Sequence, residues 1–110
     1  MSGSAQEPVA AAGGPEVRRD DARSRYEIVV GGVVAGFSAY RAGPQDGDPM
    51  VFLHTEVDDA HSGQGLGTLL ARGALDDVRL RGRRIVPLCP FIAAFIRRHP
   101  EYQELVESWA

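Results

Sequence analysis

The sequence predicts a mixed α/β fold in the order β-β-β-α-β-α, in which an antiparallel hairpin leads into a parallel pair of strands. Three observations support it. The glycine pair Gly31-Gly32 joins two apolar runs of strand type. A glycine-rich segment at residues 62–68 separates a third apolar run from an amphipathic helical pattern. A fourth apolar run follows that helix, and a helical crossover makes the third and fourth strands parallel.

Local patterns set the bounds of each element. The predicted strands are residues 26–34, 33–40, 50–57 and 84–88. The predicted helices are residues 66–78 and 90–99, followed by a short helical segment at 101–109. Gly-Pro, Asp-Gly and Asp-Pro pairs make residues 42–49 a loop. Pro90 suits the first turn of the second helix, and Pro100 ends that helix.

The N-terminal segment differs in composition from the rest of the chain. Residues 1–17 are mainly Ala, Gly, Ser and Pro with few large apolar side chains, so they cannot offset the entropy lost on ordering. Charges of both signs then alternate over residues 18–25, which favours a solvated lead-in. We therefore predict a disordered tail at residues 1–17 and one folded domain at residues 18–110.

Charge and cysteine content exclude several classes of protein. A net charge of −3 is not typical of a nucleic-acid-binding surface. The single cysteine excludes an internal disulfide, and no apolar run is long enough to cross a membrane. His61, His99 and Cys89 lack the spacing of a metal site. We expect a cytoplasmic protein, a monomer or weak dimer, with no metal, nucleic-acid or membrane partner.

The glycine-rich segment at residues 62–68 is the strongest chemical signal. A strand, a glycine loop and a helix N-terminus together bind phosphate, because the first helical N–H groups have no internal partner. The simpler interpretation is a tight turn. A Walker loop requires a lysine, and the chain contains none. A dinucleotide loop requires an acid about twenty residues further on, where Ile85-Val86-Pro87-Leu88 stands instead.

The pattern x-x-x-Gly-x-Gly at residues 62–67, five residues after Val57, resembles the coenzyme A pyrophosphate loop of the GNAT superfamily of N-acetyltransferases. Ser62 stands where that loop usually has Gln or Arg. Further segments in the same order make the chain similar to the small, truncated GNAT-like proteins called YjdJ-type acetyltransferases. These segments are Arg25-Tyr26-Glu27, His54-Thr55-Glu56-Val57, Gly63-Gln64-Gly65-Leu66-Gly67, Pro87-Leu88-Cys89-Pro90-Phe91 and Arg98-His99-Pro100-Glu101-Tyr102.

The resemblance implies a truncated GNAT-like fold whose parallel strands splay around acetyl-CoA, the co-substrate. It also implies transfer of an acetyl group to an unidentified amine, on a small molecule or a protein. The implied coenzyme-binding residues are Thr55, Glu56, Val57, Ser62, Gly63, Gln64, Gly65, Leu66, Gly67 and Thr68. Two alternatives are a non-catalytic acyl-CoA- or CoA-binding module and an interaction protein on a GNAT scaffold.

Cys89, His54 and Glu56 are the candidate catalytic residues. Cys89 falls at the N-cap before Pro90, where a helix terminus favours the thiolate, although a buried cysteine can also be inert. Its thiol could accept the acetyl group, orient the thioester or protonate the departing thiol. Strand alternation predicts His54 on the same face as Phe52 and Glu56. Either His54 or Glu56 could remove the proton of the amine, and both also have structural interpretations.

Larger GNAT enzymes often carry a tyrosine on the last helix that protonates the coenzyme thiolate. In this chain Phe95 and Ile96 occupy the approximate equivalent, and Tyr102 follows Pro100. We therefore expect no equivalent of that tyrosine.

Overall fold

The computed structural model describes residues 14–61 and 63–109. Within these residues, five strands form one sheet in chain order. The strands are β1 (Glu16–Asp20), β2 (Arg25–Val30), β3 (Val33–Ala42), β4 (Met50–Val57) and β5 (Ile85–Pro87). The α-helices are α1 (Leu66–Leu80) and α2 (Pro90–Arg98), and a 3₁₀ segment, Pro100–Leu105, follows α2.

The sheet combines antiparallel and parallel pairing. Strands β1 to β4 are antiparallel to their neighbours, and α1 carries the chain across to β5, which is parallel to β4. The predicted mixed α/β fold is therefore confirmed, with one strand added before the hairpin. None of the helices in the described ranges is long and apolar enough to span a bilayer.

The added strand β1 corrects the predicted start of the domain. Glu16 and Val17, assigned to the tail, belong to β1, and the charged lead-in supplies the rest of this strand. The pairing with β2 runs from Glu16↔Val29 to Asp20↔Arg25. Charged side chains are common on edge strands because they discourage pairing with other chains. Residues 1–13 lie outside the described part, so a disordered tail there stays a prediction.

The hydrophobic core lies between the sheet and the two helices. α1 and α2 lie side by side: Phe91 packs against Gly67, and the guanidinium of Arg72 lies over the ring of Phe95. We call the sheet face that they cover the inner face. The large, fully buried side chains of the core, from this face and from the two helices, are Tyr26, Ile28, Met50, Phe52, Leu70, Leu75, Val78, Ile85, Ile92, Phe95 and Ile96. We call the opposite sheet face the outer face.

Candidate active site

The glycine loop connects β4 to α1 through a backbone conformation that favours glycine. Gly63 and Gly65 have φ angles of 81° and 73°, in the left-handed region where a side chain is strained. Gly65 is the N-cap of α1 and makes no side-chain cap hydrogen bond. The N–H groups of the first turn have no partner inside the helix, and the two glycines before them carry no side chain that could cover them.

A groove of about 290 Å³ lies beside this loop. The glycine loop forms one wall, and Val57, His61 and Phe91 complete the lining. Phe91 approaches α1 closely, since a Cβ atom built on Gly67 would lie 3.0 Å from Cζ of Phe91. In contrast, a Cβ atom built on Gly63 or Gly65 meets nothing within 4 Å. The loop thus borders open space wide enough for a phosphate group.

A larger cavity, of about 440 Å³, lies across β1 and β2 and is lined mainly by charged side chains. Arg18 and Arg25 both form ion pairs there with the buried carboxylate of Glu27, at 3.1 and 3.0 Å. Because these charges already satisfy one another, we regard the smaller groove beside the glycine loop as the better candidate for a ligand site.

The parallel strands separate at the end that faces the glycine loop. β4 and β5 pair only from Met50↔Ile85 to Phe52↔Pro87, and the N–H of Cys89 donates to the carbonyl of Phe52 at 2.9 Å. Beyond Phe52, residues 53–57 have β3 on one side and no strand on the other within the described residues. Backbone groups along this edge are therefore placed to bind an extended ligand.

A β-bulge at Leu53 changes which side chains of β4 face the core. Ala39 pairs with His54 but Tyr40 pairs with Phe52, so Leu53 is an extra residue in the register. The prediction that His54 shares a face with Phe52 is wrong for this reason. Phe52 is fully buried on the inner face, whereas the side chains of His54 and Glu56 are 58% and 62% exposed.

His54 and Glu56 share one face of β4, as predicted, but this is the outer face and not the face of Phe52. His54 Nε2 and Glu56 Oε2 are 2.8 Å apart, and the His54 ring meets the Phe37 ring edge-on. Because a carboxylate only accepts hydrogen bonds, Nε2 is the donor, and Nδ1 of the neutral ring is the nitrogen that can take a proton. The arrangement suits a general base.

The same bulge turns Thr55 toward the inner face, where it meets Cys89. Thr55 Oγ1 lies 3.3 Å from Cys89 Sγ and 2.9 Å from Ser38 Oγ. Cys89 is only 2% exposed and is the N-cap of α2, with Pro90 next, as the sequence predicts. Since neighbouring strand residues point to opposite faces, Cys89 and the His54–Glu56 pair lie on opposite sides of β4.

The residues implied as coenzyme-binding take two positions. Thr55, Glu56 and Val57 lie along the open edge of β4. The remaining described ones form the loop and the first turn of α1: Gly63, Gln64, Gly65, Leu66, Gly67 and Thr68. Leu66 is 2% exposed and its side chain packs in the core, so only its backbone borders the groove. Ser62 lies outside the described residues.

Ser38 was missed by the sequence interpretation, because a serine in a strand carries no signal of its role until its cross-strand partner is known. Ser38 is fully buried and stands directly opposite Thr55. Tyr102, the nearest tyrosine to the last helix, donates to Asp76 of α1 at 2.7 Å, and burial raises its pKa. Its hydroxyl is thus engaged with α1 rather than with Cys89.

Comparison with known proteins gives the family. A search among curated proteins finds no significant match. The model of a family described as GCN5-related N-acetyl-transferase matches residues 25–105, which is well over half of the 110 residues. The match begins with β2 and ends with the 3₁₀ segment after α2, and so includes the splayed strands, the glycine loop and Cys89. The chain therefore belongs to the GCN5-related N-acetyl-transferase family, the superfamily that its motifs resemble.

Proposed function

We propose that this protein is an acetyl-CoA-dependent N-acetyltransferase of the small YjdJ type, which transfers an acetyl group to an amine. The observation that carries the proposal is the open end of the parallel strand pair, where the unpaired edge of β4 leads directly into the glycine loop. The single cysteine is a free thiol, which suits a reducing cytoplasm.

In this proposal the loop at residues 62–68 holds the pyrophosphate of the coenzyme. The open space above Gly63 and Gly65 leaves room for phosphate oxygens, and the N-terminus of α1 supplies N–H donors and a positive dipole. The backbone of Thr55, Glu56 and Val57 would bind the pantetheine arm as an added strand does. At position 62 the sequence has the short hydroxyl side chain of Ser62 in place of the longer side chain usual in the superfamily.

The acceptor amine would approach from the outer face. Its nitrogen attacks the thioester carbonyl carbon, the bond from that carbon to the coenzyme sulphur breaks, and the sulphur leaves with the electron pair. We assign the removal of the amine proton to His54, with Glu56 holding the ring in the tautomer that exposes Nδ1 as the acceptor. The exposure of both side chains supports access by a substrate.

Cys89 would protonate the departing coenzyme thiolate from the inner side of the opening. Its thiol lies beside the point where β4 and β5 separate, held by Thr55. A buried thiol can give up a proton without moving, whereas attack on a carbonyl carbon would require it to leave its place among the core side chains. In each cycle His54 gains one proton and Cys89 loses one, so the net proton count is unchanged and exchange with solvent restores both groups.

Thermal unfolding with acetyl-CoA tests the binding half of the proposal. At a hundredfold excess over its Kd, a ligand adds about 2.7 kcal/mol to the free energy of unfolding. In a domain of this size the Tm should then rise by about 10 °C or more. Pantetheine without the diphosphate should give a much smaller rise. If neither acetyl-CoA nor CoA raises the Tm, the glycine loop is only a turn, as in an interaction protein.

Release of free CoA thiol tests the catalytic half. A panel of small amines and lysine-containing peptides is offered with acetyl-CoA, and thiol release is followed against a sample without acceptor. An acceptor that accelerates release supports the enzyme. Coenzyme stabilisation without acceleration by any member of the panel would instead favour a CoA-binding module.

A further inference from the structure

A chain of polar atoms crosses the otherwise apolar inner face. It consists of Ser38 Oγ on β3, Thr55 Oγ1 on β4 and Cys89 Sγ after β5, separated by 2.9 and 3.3 Å. Ser38 is fully buried and Cys89 is 2% exposed. A buried hydroxyl group is costly unless it is hydrogen-bonded, and Ser38 meets this need through the partly buried Thr55, which in turn reaches the Cys89 thiol.

The bulge at Leu53 is what creates the chain. In a regular strand the inward positions after Phe52 would be His54 and Glu56, and the thiol would face an imidazole. The extra residue shifts this alternation, so that Thr55 points inward directly opposite Ser38. The register thus places a hydroxyl next to the thiol and leaves His54 on the outer face.

Two hydroxyl groups in series can serve both protonation states of a thiol. When the sulphur carries a proton, it can donate to Thr55 Oγ1, and Thr55 can donate to Ser38 Oγ. When the sulphur is a thiolate, Thr55 can rotate its proton toward the sulphur, and Ser38 can donate to Thr55. A hydrogen bond to a charged acceptor is about twice as strong as a neutral one, so the second arrangement favours the thiolate.

We propose that Thr55, supported by Ser38, is a positioning residue that stabilises the thiolate of Cys89 during acetyl transfer. The inference rests on the proposed function, in which the S–H bond of Cys89 breaks, its electron pair stays on sulphur and the proton goes to the coenzyme thiolate. Stabilising the sulphur anion at that moment lowers the barrier to departure of the coenzyme.

The test compares three variants by titration of the free protein. Thr55→Val removes the hydroxyl at nearly constant volume, Thr55→Ser keeps it, and Ser38→Ala removes the second donor. Because the chain has one cysteine, the ultraviolet absorbance of the thiolate reports on Cys89 alone once the Cys89→Ala protein is subtracted. Loss of the charge-assisted bond in Thr55→Val should move the midpoint up by about one pH unit.

Thr55→Ser should keep the midpoint near that of the parent protein, and Ser38→Ala should shift it upward by less than Thr55→Val does. If Thr55 had a merely structural role, the Tm of the variants would change, but Thr55→Val and Thr55→Ser would have the same titration midpoint. The proposal is overturned if Thr55→Val titrates like the parent, or if Thr55→Ser shifts as far as Thr55→Val. If Thr55→Val does not fold, the test rests on Ser38→Ala: an upward shift of its midpoint supports the proposal, and an unchanged or lower midpoint overturns it.

The titration needs neither acetyl-CoA nor an acceptor, so its outcome is separate from that of the proposed function. A midpoint shift without any acetyl transfer would support the role of the hydroxyl chain and contradict the proposed enzymatic function. Acetyl transfer without a midpoint shift would support the proposed enzymatic function and contradict the role of the hydroxyl chain. Where transfer is measured, kcat in Thr55→Val should fall by up to about tenfold, because a midpoint one pH unit higher makes the Cys89 thiol a tenfold weaker acid toward the coenzyme thiolate.

Discussion

The N-terminus of α1 and the remainder of this helix are held to the sheet in different ways. At its N-terminus, which we call the loop end, Gly65 is the cap, and a Cβ atom there would meet nothing within 4 Å. Further along α1 lies what we call the β1–α1 seam, formed by Val17 and Arg19 of β1 with Gly73 and Asp77 of α1. There a Cβ atom built on Gly73 would lie 2.7 Å from Val17, and Asp77 accepts hydrogen bonds from Arg19 and Tyr26 at 2.6 and 2.7 Å.

This difference predicts which residues of α1 contribute to ligand binding and which contribute to stability. At the loop end Gly63 and Gly65 present backbone groups to open space, so these two glycines contribute little packing and are suited to a ligand. At the seam, side chains of β1 contact α1 and fix the two elements together, so these residues should contribute to the free energy of unfolding. Substitutions at the loop end should therefore change coenzyme binding, and substitutions at the seam should change the Tm of the free protein.

The largest expected effect is at the loop end, in Gly65→Val. A β-branched side chain is strained at a φ of 73° and would project into the groove. We expect the rise in Tm with acetyl-CoA, about 10 °C or more in the parent protein, to be lost. Thermal melts with and without acetyl-CoA measure it, and the melt of the free variant must remain cooperative.

Two further variants sharpen this result. Gly47→Val places the same side chain at an exposed loop glycine with nothing within 4 Å of its Cβ, and should keep the full rise in Tm. Gly65→Asn tolerates the left-handed conformation better than valine, and so separates backbone strain from blocking of the groove. A full rise in Tm in Gly65→Val would contradict a phosphate site at this loop.

The second effect concerns the start of β1. A shortened protein that begins at Gly14 should melt within a few degrees of the parent, as expected for a tail at residues 1–13. A protein that begins at Arg18 also lacks Val17, which packs against the core. Losing this partly buried side chain should cost about 1 kcal/mol, or roughly 4–8 °C in Tm. Equal Tm values for the two shortened proteins would show that Val17 and its contacts at the seam do not measurably stabilise the fold.

A third, smaller effect is expected for Gly73→Ala. Alanine gains up to about 1 kcal/mol over glycine inside a helix, but overpacking costs about 1–3 kcal/mol, so the net change should be a modest loss. In a Val17→Gly background the close atoms are gone, and the same change should be neutral or stabilising. Urea unfolding of the four proteins in this double-mutant cycle gives the coupling energy. Additive effects would show that Val17 and Gly73 do not constrain each other.

The smallest effect is the alkaline pH dependence of the seam. Burial and the hydrogen bond to Asp77 raise the pKa of Tyr26 above its ordinary value of 10.0. Above that pH the unfolded chain loses the phenolic proton while the folded protein retains it, so the free energy of unfolding falls as pH rises. Tyr26→Phe should flatten this fall.

Urea unfolding at a series of pH values from about 8 to about 11 measures the slope. Burial also raises the pKa of Tyr40 and Tyr102, so part of the fall remains in the variant. Tyr102→Phe is the comparison variant: it removes a hydroxyl that bonds to Asp76 outside the seam, and it should flatten the fall less than Tyr26→Phe does because the pKa of Tyr102 is raised less. An unchanged slope in Tyr26→Phe would mean that Tyr26 is not protected by the fold.

Several elements could be predicted from the sequence because their signals are local. The third predicted strand coincides with Met50–Val57, and α1 starts at Leu66 directly after the glycine loop, as predicted. Cys89 is the N-cap of α2 because Pro90 fits only the first turn of a helix. Strand β1 escaped prediction because charged side chains mask its pairing with β2, and an edge strand can tolerate them.

By itself, the sequence determined the order of elements from β2 onward, the glycine loop and the thiol at a helix N-terminus, since each depends on residues a few positions apart. Only the tertiary structure decided which face each residue of β4 occupies. The bulge at Leu53 turns Thr55 toward Ser38 and Cys89 and leaves His54 with Glu56 on the outer face. Strand side chains alternate with a period of two, so one extra residue reverses every later position, and only pairing with β3 reveals that residue.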